Sequence, residues 1–148
     1  MANSKDQHTM RVRIYSPQGV IYDHQALSCS VRAVDGGLTV LPNHTPILAP
    51  LELSVVKVVR VQEGLTDDFI AINGGVLEMC NNEVEIISNY AIRGRDIDEA
   101  QVSVEQQEAE INMQEAIANK DNKAFIKAKI ELDRAMNKIT AFRRKRGL

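Results

Sequence analysis

The sequence predicts an α+β fold with its two kinds of structure segregated: an N-terminal all-β sandwich followed by a C-terminal antiparallel two-helix hairpin. Three observations predict it. Turn residues crowd the chain up to Ile92 and nearly vanish beyond Gly94, apolar residues alternate before that point, and their period lengthens to seven after it. The division falls at 1–92 for the sandwich and 93–148 for the hairpin.

In the first part the punctuation is Pro17-Gln18-Gly19, Asp35-Gly36-Gly37, Glu63-Gly64, Asn73-Gly74-Gly75 and Asn81-Asn82. Between these turns the residues alternate. Met10, Val12 and Ile14 are separated by Arg11 and Arg13, and Leu27, Cys29, Val31 and Ala33 by Ser28, Ser30 and Arg32. Val84 and Ile86 alternate with Glu83 and Glu85 in the same way. Period two with β-branched enrichment predicts short strands, each burying one face and solvating the other.

In the second part Ile97, Val104, Ile111 and Ala118 recur every seven residues, with Ala100 at an i+3 position. After Ala118-Asn119-Lys120-Asp121-Asn122 the pattern restarts as Phe125, Ala128, Leu132, Ala135, Ile139 and Phe142. This predicts one narrow apolar stripe on each of two helices joined by a short turn, hence antiparallel neighbours. The first helix is acidic and the second basic, ending in Arg143-Arg144-Lys145-Arg146. Exposed ion pairs contribute only ~0–1 kcal/mol each, so the stripes are expected to hold the hairpin, at ~1.5–3 kcal/mol per buried large side chain. Gln101, Gln107, Asn112 and Gln114 dilute the first stripe, which predicts a hairpin able to open.

Composition narrows the function. The chain has 148 residues, 44% apolar and 26% charged, with a net charge of -2. A chain of this length buries roughly 70% of its unfolded surface, so neither a metal nor a disulfide is needed for stability. Phe69, Phe125, Phe142 and three tyrosines are the only aromatics, few for a single-strand nucleic-acid platform. Cys29 and Cys80 stand in apolar, strand-like contexts that suit buried reduced thiols. Met1 to Thr9 is polar without a signal core, and no apolar run reaches the ~18 residues of a membrane span. Membrane association is therefore expected only through a partner.

Individual residues point away from catalysis. Gly36-Gly37 and Gly74-Gly75 match neither a Walker nor a dinucleotide pattern and read as tight turns needing positive φ. His8, His24 and His44 have no spacing that assembles a metal site or a nucleophile and base, so neither metal nor cofactor is expected. His44 reads as a turn or interface residue. The basic tail reads first as a solvated helix end complementing the helix dipole, then as a dock for an acidic protein, and last as a nucleic-acid contact.

A family likeness rests on motifs in order. Gly37-Leu38-Thr39-Val40-Leu41-Pro42-Asn43-His44-Thr45-Pro46 resembles the G-x-x-x-x-P-G-H-x-P turn of epsilon subunits of bacterial F-type ATP synthases. Val12-Arg13-Ile14-Tyr15-Ser16-Pro17-Gln18-Gly19, Ala71-Ile72-Asn73-Gly74-Gly75-Val76-Leu77-Glu78-Met79 and Asn81-Asn82-Glu83-Val84-Glu85-Ile86-Ile87 fit as well. Arg95-Asp96-Ile97-Asp98 and Arg134-Ala135-Met136-Asn137-Lys138 resemble the family's hairpin signatures. The likeness runs from about residue 10 to 142.

The resemblance implies a non-catalytic central-stalk subunit, peripheral on the cytoplasmic face of the bacterial membrane. Its partners would be the gamma subunit, the c-ring and the catalytic alpha and beta subunits, with no nucleic acid. The sandwich would couple proton-driven rotation to the catalytic head, and the hairpin would restrain ATP hydrolysis. Gly36, Gly37, Pro42, Asn43 and His44 would contact the ring or gamma, while Arg134, Lys138, Arg143 and Arg144 would meet an acidic partner segment. Asn43 replaces the family's usual Gly; Asn tolerates the left-handed geometry that position takes.

Some family members bind ATP on the folded hairpin through Ile-Asp-x-x-Arg-Ala. Here the matching stretch is Ile97-Asp98-Glu99-Ala100-Gln101-Val102, and Ile92 stands where a Glu commonly precedes it. Asp98, Arg134 and Lys138 remain as ATP candidates, but Gln101 lacks the guanidinium fork and Glu108 adds repulsion. ATP binding is therefore expected to be weak or absent. The alternatives are a nucleotide-sensing hairpin module and a chaperone-like adaptor gripping clients with its helices.

Overall fold

The computed structural model describes residues 8–61 and 64–147. Glu63 of the expected turn, and most of the polar N-terminal stretch, lie outside the described residues. Eight strands precede two helices: β1 (Met10–Ser16), β2 (Gly19–Ala26), β3 (Ser28–Ala33), β4 (Gly36–Val40), β5 (Ile47–Val61), β6 (Leu65–Cys80), β7 (Glu83–Ile87) and β8 (Ala91–Arg93). A 3-10 turn at Gly94–Asp96 leads into α1 (Glu99–Ala118) and α2 (Asn122–Lys145). The segregated α+β fold is the one expected.

The strand order is β2-β1-β7-β6-β5-β3-β4, with β8 also on β6. The pairs are antiparallel except β1 with β7. Alternation places Met10, Val12 and Ile14 of β1 and Val84 and Ile86 of β7 in the core, beside Tyr22, Val56, Ile70 and Leu77. Two Asn residues, Asn81 and Asn82, both with positive φ, make the β6–β7 turn, as a two-residue hairpin requires.

Gly74 and Gly75 do not sit in a turn between strands; they lie inside β6. Both have positive φ, and a Cβ at Gly75 would collide with the backbone oxygen of Ile87. The glycines kink a 16-residue strand and let its C-terminal part pair with β7 while Ile70–Ile72 pair with β8. Cys80 is likewise not buried. Met79 points into the core, so its neighbour at period two must face out. Only Cys29 is a core thiol, and burial pushes its pKa up to about 12.

Asp98 and Asp121 cap the two helices, accepting from the amides of Ala100 and Gln101 and of Ala124. The seam between them differs from the one expected. Val102, Ala109 and Ala116 are buried on α1, whereas Val104 and Ile111 are 52% and 54% exposed. The two lines lie about 200° apart around the helix, two residues at 100° each. On α2 the stripe is close to expectation, with Ala128 and Ala135 buried and Phe125, Leu132, Ile139 and Phe142 partly so. Alanine facing alanine lets the helix backbones approach closely, so the small-residue line wins over the bulkier one. Closeness has a cost in area: four alanines contribute about 3 kcal/mol at ~0.8 per buried methyl-sized group, below what large side chains would give. One ion pair joins the helices among the described residues, Lys138 to Glu105 at 3.1 Å.

Ala109→Leu is expected to force the helices apart and cost the hairpin about 1–3 kcal/mol. Faster amide exchange along α1, with β1 and β7 unaffected, is the measurement that checks it.

Candidate functional site

Three surfaces are shaped for contact. The first is the outer face of the sheet. Cross-strand register aligns Pro50 with Val76, Val76 with Ile87, Ile87 with Tyr15 and Tyr15 with Val20. This row crosses five strands, and Val20, Val76 and Ile87 are exposed, Ile87 by 62%. Leu48, 70% exposed, adds to one end. The neighbouring row is charged: Arg13 bonds to Glu85 and Glu83 beside Asp23. An apolar row bordered by charge is an interface pattern.

The second is the loop between β4 and β5. Asn43 has φ 62, the left-handed geometry that lets Asn occupy a glycine position. Its amide donates to the Asn82 side chain at 2.8 Å, whose own amide donates to the Thr9 carbonyl. His44 Nδ1 lies 2.7 Å from the Thr45 oxygen. Pro42, Asn43 and His44 are thus held together beside the β6–β7 turn. Gly36 and Gly37 sit at the far end of β4, apart from them.

The third is a groove along one side of the hairpin, with volumes of about 300 Å³ and 230 Å³ that share Asn112 and Glu131. Its lining holds five carboxylates (Glu105, Glu108, Glu115, Asp121 and Glu131) against Lys127, Arg134 and Lys138. Of the ATP candidates, Arg134 and Lys138 line it and Asp98 does not. Asp98 is engaged as a helix cap, and Lys138 is held by Glu105 and by the Tyr90 ring at 4.8 Å. Arg143 and Arg144 are exposed on the last turn of α2, away from the groove. A net-negative groove, with Lys138 already engaged by Glu105 and Tyr90, does not suit a polyphosphate.

Contacts between α2 and the sandwich were missed by sequence reasoning. Asn137 Nδ2 donates to the carbonyls of Ser54 at 2.8 Å and Ile72 at 3.3 Å. Ala71, Ile97, Val102, Ala135 and Ala141 form a small second core there. A Cβ at Gly94 would lie 2.7 Å from the Ala141 oxygen, so the glycine admits the helix. Below it Asp68, 3% exposed, accepts from Tyr22 Oη at 2.7 Å and Arg60 Nε at 2.6 Å. Arg93 Nη2 and Lys145 Nζ approach Asp68 at 3.7 and 3.5 Å. Burial pushes the Asp68 carboxyl up, but the bonds from Arg60 and Tyr22 and the charges of Arg60 and Arg93 outweigh it, holding it below the usual range. The sequence signal was faint: an Asn on the apolar side of a helix and a polar pair, Arg60 and Asp68, at inward strand positions.

An exposed apolar row, a hydrogen-bonded loop and a helical hairpin with exposed apolar residues define a protein with surfaces suited to engaging other macromolecules. Comparison with known proteins agrees. A family model described as the beta-sandwich domain of the ATP synthase Delta/Epsilon chain matches residues 9–94. The ATP synthase epsilon chains of Lactobacillus gasseri and Lactobacillus helveticus are 38% and 39% identical to it, over 88% and 91% of this chain and 90% and 93% of theirs. That of Latilactobacillus sakei is 37% identical over 92% of this chain and 94% of its own. A chain in the Euglena gracilis mitochondrial ATP synthase OSCP/F1/c-ring structure shares the fold, with a TM-score of 0.72 at 19% identity over 90% of this chain and 81% of that one. The chain belongs to the ATP synthase epsilon family.

Calorimetric titration with ATP is expected to give no binding in the micromolar range, because the groove is acidic. A second expectation concerns His24, which faces Tyr22, Arg60, Arg93, Asp68 and Asp23; burial, then the charges of Arg60 and Arg93, lower its pKa. A folded pKa below the free value contributes stability that is present above about pH 6.5 and lost as pH falls. The urea midpoint should decline between about pH 6.5 and 5 in the native chain and less in His24→Gln.

Proposed function

We propose that this chain is a non-catalytic central-stalk subunit of an F-type ATP synthase that couples proton-driven rotation to the catalytic head and restrains ATP hydrolysis through its C-terminal helices. The observation that carries the regulatory part is the pair of opposed apolar lines on α1. One line closes the hairpin; the other, Val104 and Ile111, is left half exposed with Ile117 beside it. A helix apolar on two sides suits alternate partners.

The magnitudes allow exchange between them. Moving a two-state element from 1:99 to 99:1 takes ~5.5 kcal/mol of differential affinity. Reburying Val104, Ile111 and Ile117, each about half exposed, contributes ~1 kcal/mol apiece. Ile126, Ile130 and Met136 on α2 are exposed to a similar degree and supply the remainder.

On this reading the gamma subunit and c-ring meet the apolar row and the Pro42–Asn43–His44 loop, whereas Gly36 and Gly37 serve the adjoining turn. Arg134, Arg143 and Arg144 face acidic segments of the alpha and beta subunits once the hairpin extends, and Lys138 joins them on leaving Glu105. The protein lies on the cytoplasmic face of the bacterial membrane, held there through the complex. The acidic groove disfavours the nucleotide-sensing alternative.

The test is ATP hydrolysis by a complex carrying the full chain, against one truncated after Asp96 so that β8 and Arg93 are kept. Faster hydrolysis on truncation, at about twofold or more, is expected with the complex intact. Equal rates in an intact complex would remove the restraining role.

A further inference from the structure

The cluster around Asp68 joins both ends of the hairpin to the sandwich. Arg93 immediately precedes Gly94, where the chain leaves the last strand, and Lys145 is the last residue of α2. Both converge on one buried carboxylate that β5 supplies with Arg60 and β2 with Tyr22. The shares are unequal. Arg60 and Tyr22 make the short bonds, at 2.6 and 2.7 Å, and both belong to the sandwich. Lys145, 30% exposed, stands at 3.5 Å from Asp68 and 3.3 Å from the Asp67 carbonyl.

That inequality decides what happens when the helix leaves. A buried carboxylate stripped of its partners is strongly disfavoured, and such a cost would lock the hairpin down. Here Asp68 keeps Arg60 and Tyr22 whether or not Lys145 is present. The cluster also holds three cations for one carboxylate, so Asp68 stays compensated by Arg60 and Arg93 when Lys145 leaves. Lys145 stands beside Arg143, Arg144 and Arg146, a basic end whose natural competitor for Asp68 is an acidic protein segment.

We propose that the Lys145–Asp68 contact is a releasable electrostatic latch, which holds the end of α2 on the sandwich and yields it to an acidic protein surface or to high salt. The latch rests on the reading of the hairpin as a detachable element, but its test does not need the complex. Amide exchange is followed in the full-length chain with Lys145→Gln beside the native protein. At low salt, exchange over residues 138–146 should be about threefold faster in the variant. Near 1 M salt, where the screening length is ~3 Å, the native chain should reach the rate of the variant, which itself barely changes. Equal rates at low salt overturn the latch, as does acceleration spread to β1 and β7, which would make Lys145 a general stabiliser of the sandwich. In the complex the same variant should hydrolyse ATP more slowly. Faster exchange with unaltered hydrolysis leaves the latch standing and refutes the restraining role instead.

Discussion

The approach of α2 to Gly94 is the constraint on which the hairpin's position depends. The Ala141 carbonyl oxygen lies 2.7 Å from where a side chain at residue 94 would begin. With the helix that close, Asn137 reaches the carbonyls of Ser54 and Ile72, and Lys145 reaches Asp68. A larger residue at the junction would lift the helix and break all three together. The glycine acts here through its missing Cβ, since its φ is not among the positive ones.

The same interface is smaller than the sandwich core and mixes apolar with polar contacts. Its apolar part is Ala71, Ile97, Val102, Ala135 and Ala141, with Val55, Ile92, Ile139 and Phe142 only partly buried against them, whereas the sandwich core buries Met10, Ile14, Tyr22, Ile70 and Leu77 completely or nearly so. Burial energy follows area, so the two parts of the chain are held with very different strength. Free-energy differences of this kind let one element move while its support stays folded. The hairpin's own seam is also modest, its fully buried residues mostly alanines, with Phe125 and Leu132 only partly covered. A weakly seamed hairpin on a strongly packed body is a physical arrangement suited to changing partners.

Charge organises what the apolar terms leave open. On the hairpin, acidic α1 and basic α2 share one ion pair, and the groove beside them stays net negative. On the sandwich, the apolar row of Val20, Tyr15, Ile87, Val76 and Pro50 runs alongside a charged row centred on Arg13 and Glu85. Apolar rows give affinity, and flanking charges fix register and exclude wrong partners.

Local pattern by itself determined the order of strands before helices, the inward faces of β1, β3 and β7 and the Asn81-Asn82 turn, because each is settled by neighbours along the chain. Motif order determined the family. Three things were decided only by the tertiary structure. Gly74 and Gly75 kink a continuous strand, since β6 must serve both β7 and β8 and Ile87 crowds Gly75. Val102, Ala109 and Ala116 form the seam in place of Val104 and Ile111, since two heptad lines are equivalent in sequence until a second helix chooses the one it can approach. Asp68 gathers Tyr22, Arg60, Arg93 and Lys145 from β2, β5, β8 and α2. No local pattern encodes a cluster drawn from residues up to 123 positions apart, because folding, not spacing, brings their charges together.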